Sequence, residues 1–261
     1  MSDRHTTIKA LNTCWTSLEE LLAGLAPDDW QAQSLCPDWT VHGVVAHLTS
    51  AESALVGWMP GSVEDVPFGT VRAAFDECRQ MEGSELGERL SAVLASRRAD
   101  LSATTEEDFD RPSFSPVGPT TYGGFMRIRT FDFWVHERDI AVPLGRSTSD
   151  SGVDAEIAFG EVERALGYIM GKLVGLPDGR SIRLRLSGGL QRDVSVAVDG
   201  RAAVVDTIDE PDVELHADFL TFMLLACGRI DPEGAIASGK VRWTGDDEIG
   251  GRAARNLRFT M

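Results

Sequence analysis

The segment FMRIRTFDFWVHERDIAV, residues 125–142, combines an apolar helical pattern with regularly spaced polar residues. Asp132, His136 and Asp139 follow one another at intervals of four and three residues. Because an α-helix turns by about 100° per residue, these three side chains share one face of the helix. A carboxylate buried among the neighbouring aromatic residues costs free energy unless a cation compensates it. The pattern therefore predicts a helix over residues 124–143 with a candidate metal-binding face.

A second histidine in a similar setting completes the candidate site. His47 lies in CPDWTVHGVVAHL, residues 36–48, within a predicted helix that Thr40 caps. With Asp132 and His136 it makes three ligands and leaves a fourth position open, which is the arrangement of catalytic rather than structural zinc. The alternative is that each histidine is an ordinary buried residue with a hydrogen-bond partner, and that the spacing arises by chance.

The remaining candidates for chemistry are less distinctive. Cys36 is either a nucleophile at the start of the helix or a residue buried beside Trp39. His42 lies about 140° around the helix from His47, which predicts a surface position. The other two histidines are also predicted at the surface, one near the amino terminus and one on a strand: His5 and His216. On the fourth helix, three charged residues are predicted to lie away from the metal-binding face or at its edges: Arg129, Glu137 and Arg138.

Apolar residues at three- and four-residue spacing predict four helices in the first half of the chain. Pro27 ends the first helix, and a long third helix is predicted over residues 70–103 despite Gly83 and Gly87. The segment RPSFSPVGPTTYGG, residues 111–124, is predicted to be a loop, and no strand is expected in this half. Four such helices predict an antiparallel bundle, whose interior is a common location for metal sites.

After Gly145 the pattern changes from purely helical to mixed. A helix is predicted over residues 153–174, and the short alternating segments after it predict an antiparallel sheet with one exposed face. These segments begin at residues 182, 194, 202, 213 and 241, and further helices are predicted over residues 219–227, 232–238 and 247–256. We predict a domain boundary near residue 150.

The charge of the chain excludes two classes of partner. The 261 residues include 41 acidic and 25 basic side chains, a formal net charge of −16. Nucleic acids and anionic membrane surfaces both require a basic face, so neither is an expected partner. No apolar run approaches the roughly 20 residues that span a bilayer, and the amino terminus lacks the apolar core of a signal peptide, so a cytoplasmic location is expected. The four cysteines form no CxxC pair, which argues against a disulfide framework or a cysteine zinc site.

Two groups of motifs resemble the mycothiol-dependent maleylpyruvate isomerase family. In the first half they are residues 36–48, the spacing of Asp132, His136 and Asp139, and the AVPLG that follows. In the second half, LLACGRIDPEGAIASGKVRWTGDD, residues 224–247, is similar to the closing motif of sterol-carrier-like domains. A domain of that kind is the usual carboxyl-terminal partner in this family.

The resemblance implies a fold and a set of metal ligands. The fold would be α+β, with a DinB-like four-helix bundle at residues 1–150 and a sterol-carrier-like α/β sandwich domain at residues 151–261. The family binds zinc through one histidine of the second helix and a Glu-x-x-x-His pair of the fourth, which correspond here to His47, Asp132 and His136. Aspartate therefore stands where the family pattern has glutamate, and its side chain is one methylene shorter.

The function that the resemblance implies is a metal-dependent enzyme, with zinc as the expected ion and mycothiol as thiol cofactor or co-substrate. It would catalyse a maleylpyruvate-type cis–trans isomerisation or the transfer of a thiol to a small electrophile. Its partners would be mycothiol and an unsaturated acid or other small electrophile. The alternatives are a non-catalytic protein that binds a metal or small molecule, and a lipid-binding protein of the same fold. The chain could act as a monomer or a homodimer.

Arginines are the candidates to bind carboxylates of the thiol or the substrate, because a protein of this net charge needs a local positive region to hold an anion. Four are candidates, two on the fourth helix and two in the second domain: Arg127, Arg129, Arg229 and Arg242. The alternative for each is a surface or interdomain arginine. Asp139 is expected to orient a ligand histidine through its second ring nitrogen.

Overall fold

Two units make up the structure, a computed structural model that describes residues 4–260. They divide after Thr148; the first is helical, and the second contains a five-stranded sheet with helices. The α+β fold class predicted from the sequence is confirmed. Within the described range, no helix is both long and apolar enough to cross a lipid bilayer.

The first unit is built around four long helices. Its elements, in chain order, are α1 (Arg4–Ala23), α2 (Val41–Ser53), α3 (Val71–Cys78), α4 (Gly83–Ala103), α5 (Glu106–Phe109), β1 (Pro112–Ser115), β2 (Gly118–Thr121) and α6 (Tyr122–Ala141). Helix α1 packs against α4 and α6, and α2 packs against the same two helices. Each long helix contributes fully buried apolar side chains to the core between them, among them Leu11, Leu48, Leu90 and Phe133.

The prediction of one long third helix is wrong, because the structure divides it into α3 and α4. Residues 79–82 separate the two helices, and α4 begins at Gly83. A Cβ atom at Gly83 would lie 2.5 Å from the indole ring of Trp30, which is 6% exposed. Glycine thus lets the indole pack against the first turn of α4. At Gly87, inside the same helix, a Cβ atom would lie 3.5 Å from that ring, which is an ordinary contact.

The prediction of a loop over residues 111–124 is also wrong. The segment contains an antiparallel hairpin of β1 and β2, in which Ser115 pairs with Gly118. Gly118 has a φ of 117°, a conformation that residues with side chains rarely adopt. The buried positions of β1 are Ser113 and Ser115, so the strand lacks the apolar alternation from which strands are predicted. The hairpin leads directly into α6, where Thr121 caps the first turn.

The second unit contains a mixed sheet. Its elements are α7 (Val153–Tyr168), β3 (Ser181–Ser187), β4 (Arg192–Asp199), β5 (Arg201–Val205), β6 (Val213–Asp218), α8 (Phe219–Ala226), α9 (Pro232–Ala237), β7 (Val241–Gly245) and α10 (Asp247–Arg255). The strand order is β5–β4–β3–β6–β7, and all neighbours are antiparallel except β3 and β6. The prediction of an antiparallel sheet is therefore wrong at that pair. Alternation identifies the faces of a strand but not its neighbours.

The two faces of this sheet differ in polarity. Ile182, Leu184 and Leu215 are fully buried on the apolar face. The intervening residues are polar and partly exposed, and Arg183 pairs with Glu214 at 2.9 Å. This alternation agrees with the expected apolar and polar faces.

Substitution of the two glycines of α4 by alanine should have opposite effects on stability. We expect Gly83→Ala to lower the free energy of unfolding by about 1–3 kcal/mol, because the added methyl group overlaps the Trp30 ring. Gly87→Ala should raise it by up to about 1 kcal/mol, because alanine favours a helix interior and the site has room. Urea unfolding followed by far-UV circular dichroism measures both, and equal effects would contradict the role assigned to Gly83.

Candidate metal centre

Three side chains with ligating atoms come together between α2 and α6. His47 belongs to α2, while Asp132 and His136 lie on successive turns of α6. His47 Nε2 lies 3.5 Å from Asp132 Oδ2, and His136 Nε2 lies 3.5 Å from Asp132 Oδ1. One ligating atom from each residue can be chosen so that all three lie within 4.8 Å of one another. The tertiary structure thus brings together the three residues proposed as ligands.

The spacing of these atoms fits a divalent metal ion. Nitrogen and oxygen ligands lie about 2.1 Å from a tetrahedral zinc ion, which sets neighbouring ligand atoms about 3.4 Å apart. Each oxygen of Asp132 lies 3.5 Å from one histidine nitrogen, Oδ2 from His47 and Oδ1 from His136; both separations are close to this value and longer than ordinary hydrogen bonds. The side chains of His47 and Asp132 are 28% and 26% exposed, so this side of the centre is open to solvent.

Aromatic rings surround the two histidines. The Trp39 ring stacks on His47 with centroids 5.0 Å apart, and it lies 6.1 Å from the ring of His136. Phe75 of α3 lies 5.9 Å from Trp39 and extends this apolar wall. The stacking restricts the orientation of the His47 imidazole and shields one side of the centre from water.

The second ring nitrogen of His136 contacts a buried carboxylate. His136 Nδ1 lies 2.8 Å from Asp139 Oδ2, and the Cys36 thiol donates to the same oxygen at 3.1 Å. Because an ionised carboxylate only accepts hydrogen bonds, Nδ1 carries the proton and Nε2 is the nitrogen left to bind a metal. A hydrogen bond of this kind orients metal-binding histidines in many proteins, which supports the expected role of Asp139.

Cys36, His136 and Asp139 form a second group with potential ligands, but their spacing fits hydrogen bonds better than a metal. The nitrogen–oxygen and sulfur–oxygen separations of 2.8 and 3.1 Å are shorter than the roughly 3.3–3.5 Å expected around tetrahedral zinc. The group is therefore a hydrogen-bond chain that ends on His136. Cys36 is 8% exposed, so burial, one of its two sequence-based alternatives, describes its position.

The charges around the centre shift the protonation of its members. Burial acts to raise the pKa of Asp132, but Arg129 and His136 outweigh it and hold this pKa well below its usual value. Burial acts to lower the pKa of His136, but Asp132, Asp139 and Cys36 raise it to about 10. A metal ion that binds His136 at neutral pH must therefore displace a proton.

Arg129 is buried beside the centre, so it is not a surface arginine. Its Nη1 donates to Asp132 Oδ2 at 2.7 Å, and its Nε donates to Glu52 Oε1 at 2.7 Å. Glu52 accepts a further hydrogen bond from Arg97 Nε at 3.0 Å. Glu52 and Arg97 are both 0% exposed, and Arg129 is 7% exposed. These four side chains form one ion network across α2, α4 and α6.

The other candidate arginines occupy different positions. Arg127 is half-buried on α6, about 140° around the helix from Asp132. Arg229 follows α8, and Arg242 is exposed on β7. The last two belong to the second unit.

The prediction that His42 lies at the surface is wrong. It is 8% exposed, and its Nε2 lies 2.9 Å from the carbonyl oxygen of Met81, in the segment between α3 and α4. Helix α2 is therefore covered on two sides, which its apolar spacing did not indicate. His5 is exposed and His216 is partly exposed, as predicted.

Glu52 and Arg97 were missed in the sequence, although a signal for each exists. Glu52 lies four residues after Leu48, and Arg97 lies three residues after Leu94, so both charges interrupt an apolar helix face. A charge in such a position requires an oppositely charged partner, because burial of an unpaired charge is costly. The sequence contains this signal, but not the identity of the partners.

Loss of either histidine should abolish metal binding. We expect His47→Ala and His136→Ala to lose more affinity than the roughly 10- to 100-fold that removal of an outer-shell partner costs, because each removes a ligand atom. This is tested by measuring the metal content of the dialysed protein by inductively coupled plasma mass spectrometry. His216→Ala, which changes a histidine of the second unit, is the matched control. Unchanged metal content in both ligand variants would contradict the assignment.

Metal affinity should rise with pH. The metal-free centre holds a proton on His136, whose pKa is raised to about 10, and binding releases it. Protons compete more strongly at low pH, so we expect the apparent affinity to fall about tenfold for each unit from about pH 8 to pH 6. Competition with a chelator of known affinity at several pH values measures this slope. A flat profile would show that His136 is not a ligand.

Solved structures with a similar fold include enzymes of known activity. The crystal structure of the mycothiol-dependent maleylpyruvate isomerase matches with a TM-score of 0.62 and 15% identity, over 94% of this chain and 96% of that one. A variant of that enzyme with one histidine replaced by alanine matches with a TM-score of 0.63, the same identity and the same coverage. Sterol carrier protein 2 from Yarrowia lipolytica matches 40% of this chain and 94% of its own at 13% identity, but its TM-score of 0.30 supports no conclusion. A search of curated proteins returned no match.

Family models cover both units. Residues 11–141 match the model described as "Mycothiol maleylpyruvate isomerase N-terminal domain", and residues 156–251 match the one described as "MDMPI C-terminal domain". The first match contains His47, Asp132 and His136. The resemblance noted in the sequence is confirmed: the chain belongs to the mycothiol maleylpyruvate isomerase family.

Proposed function

We propose that this protein is a mycothiol-dependent enzyme with a divalent metal ion, zinc being the expected one, held by His47, Asp132 and His136. The observation that carries the proposal is the pair of 3.5 Å separations around Asp132, on the side of the centre that is open to solvent. Membership of the family supports mycothiol as the thiol.

A metal ion bound at this centre would hold a thiol sulfur as thiolate near neutral pH, where a free thiol is mostly protonated. The side chains around the centre have the properties that such a metal ion requires. His47 and His136 offer neutral nitrogen atoms, and Asp132 adds one negative charge. Asp139 holds the proton of His136 on the nitrogen that faces away from Asp132, and the stacked Trp39 ring restricts the orientation of His47.

The chain's own cysteines are not required for this chemistry. All four are buried, and Cys36 uses its thiol to donate to Asp139. The reactive sulfur therefore belongs to the small thiol, and the protein acts by binding and orienting it.

For the reaction we favour cis–trans isomerisation of a maleylpyruvate-type acid, by reversible addition of the thiol sulfur to the carbon–carbon double bond. The solved relative that matches most of this chain is named as a maleylpyruvate isomerase, which supports this choice. Transfer of the thiol to a small electrophile is the second candidate, because it needs the same thiolate and differs only in whether the sulfur leaves again.

We propose that Arg129 is the candidate arginine that lies nearest to the bound ligand. Its Nη2 is buried and has no acceptor among residues 4–260, although its Nε and Nη1 are both paired. A buried N–H without an acceptor is costly, so an oxygen atom of a bound ligand or a water molecule is expected to accept from it. Arg127, Arg229 and Arg242 stay proposals for the remaining carboxylates.

Thiol-dependent turnover tests the proposal. We expect the zinc-loaded protein to isomerise maleylpyruvate when mycothiol is present. Without metal the rate should be at least about 100-fold lower, because a smaller fraction of the thiol is then present as thiolate. Product formation is measured by absorbance or chromatography, with a panel of electrophiles in parallel to detect S-transfer.

His47→Ala and His216→Ala form the matched pair of controls, since only the first removes a proposed ligand. Turnover that survives metal removal would contradict the mechanism. A filled metal site without turnover of any acceptor would instead favour the non-catalytic binding protein, and binding of a fatty acid or sterol by that protein would favour the lipid carrier.

A further inference from the structure

The ion network behind Asp132 has a consequence for the ligand that the centre accepts. We propose that Arg129, held by Glu52, is a positioning residue that binds Oδ2 of Asp132 and places a positive charge beside the metal-loaded centre, so that the centre selects an anionic sulfur over a neutral ligand. This inference rests on the proposed metal site. Two residues that are not proposed metal ligands, Arg129 and Glu52, would then determine whether the centre prefers an anionic or a neutral ligand.

The first step is the orientation of Asp132. Arg129 lies one helical turn before Asp132, and its Nη1 takes Oδ2 in a hydrogen bond of 2.7 Å. Oδ1 lies 3.5 Å from His136 Nε2, and Oδ2 also lies 3.5 Å from His47 Nε2, so both oxygens face the centre. Arg129 competes for Oδ2 and so disfavours bidentate binding by Asp132, which keeps a coordination position available for an external ligand.

The second step is the rigidity of Arg129. Its Nε is held by Glu52 Oε1, and the other oxygen of Glu52 accepts from Arg97. Arg97 is held in turn by the carbonyl oxygen of Leu55, at 3.0 Å from its Nη1. The guanidinium group of Arg129 also lies over the ring of Phe133, 5.3 Å from its centroid. A guanidinium restrained on this many sides keeps both its position and its charge beside Asp132.

The third step is the balance of charge. The ionisable groups of the centre and of its ion network come from α2, α4, α6 and the segment before α2: His47, Glu52, Arg97, Asp100, Arg129, Asp132, His136, Asp139 and Cys36. In the loaded centre both histidines are neutral and Cys36 is a thiol. The carboxylates of Glu52, Asp132 and Asp139 then oppose two guanidinium groups and a divalent ion, and Asp100, which pairs with Arg97 at 3.6 Å, adds a fourth carboxylate at the far end of the network.

The positive charge of Arg129, in direct contact with Asp132, favours a thiolate over a thiol or a water molecule at the metal. Asp100 acts less strongly than Arg129, because it contacts Arg97 and is separated from Asp132 by Arg97, Glu52 and Arg129. Within a partly buried site, where the effective dielectric constant is lower than in water, one unit of charge changes the pKa of a bound acid measurably. Arg129 therefore acts to lower the pKa of the bound thiol, and Glu52 acts to raise it.

Two nearly isosteric substitutions test this opposition. Cobalt(II) serves as the bound metal and 2-mercaptoethanol as the thiol, and the sulfur-to-cobalt charge-transfer band is titrated against pH. We expect Arg129→Gln to raise the pH midpoint of thiolate binding by about one unit, which is about tenfold weaker binding below the midpoint. Glu52→Gln should lower the midpoint by a similar amount. Arg98→Gln, which changes a partly exposed neighbour of Arg97, should leave it unchanged.

Opposite shifts support the inference, and shifts in the same direction overturn it, because general loosening of the network would affect both variants alike. Unchanged midpoints in cobalt-loaded variants also overturn it. Arg129→Lys keeps the charge and should keep the midpoint near that of the unmodified protein. If Glu52→Gln does not fold, a midpoint raised in Arg129→Gln and kept in Arg129→Lys supports the inference, and a midpoint raised in both overturns it. If Arg129→Gln does not fold, a lowered midpoint in Glu52→Gln supports the inference and a raised one overturns it. An unmodified protein that binds neither cobalt nor the thiol contradicts the proposed function itself.

Discussion

The carboxylate of Asp132 is the group on which the candidate centre depends. It lies between His47 and His136 on one side and Arg129 on the other, so a single side chain joins the proposed metal ligands to the buried ion network. An aspartate has a short side chain, and its position is set almost entirely by the backbone of α6. The crossing of α2 over α6 therefore determines whether His47 can share an ion with it.

The same centre is held from its other side by the segment that precedes α2. Cys36 donates to Asp139, and the backbone N–H of Leu35 donates to the carbonyl oxygen of Asp139 at 3.0 Å. These contacts attach the segment to the last turn of α6, and Trp39 in that segment stacks on His47. His136 is thus oriented through Asp139, while His47 is oriented by an aromatic ring.

Much of the fold could be predicted because helices are encoded locally. The spacing of apolar residues located α1, α2 and α6 closely, and the strands of the second unit stood out by alternation. The wrong predictions concern features that the local spacing of apolar residues does not encode. The first residue of α4, Gly83, packs against the Trp30 ring, which lies far away in sequence, and β1 buries serines in place of apolar residues. The parallel pairing of β3 with β6 depends on the path of the chain between them.

The sequence by itself determined which polar residues share a helix face, because helical periodicity places Asp132, His136 and Asp139 on one side of α6 whatever the helix packs against. Only the tertiary structure decided what surrounds them. The contact of Arg129 with Glu52 joins residues 77 positions apart, and that of Cys36 with Asp139 joins residues 103 positions apart. Such contacts depend on how whole helices and loops pack, and local periodicity contains no information about that geometry.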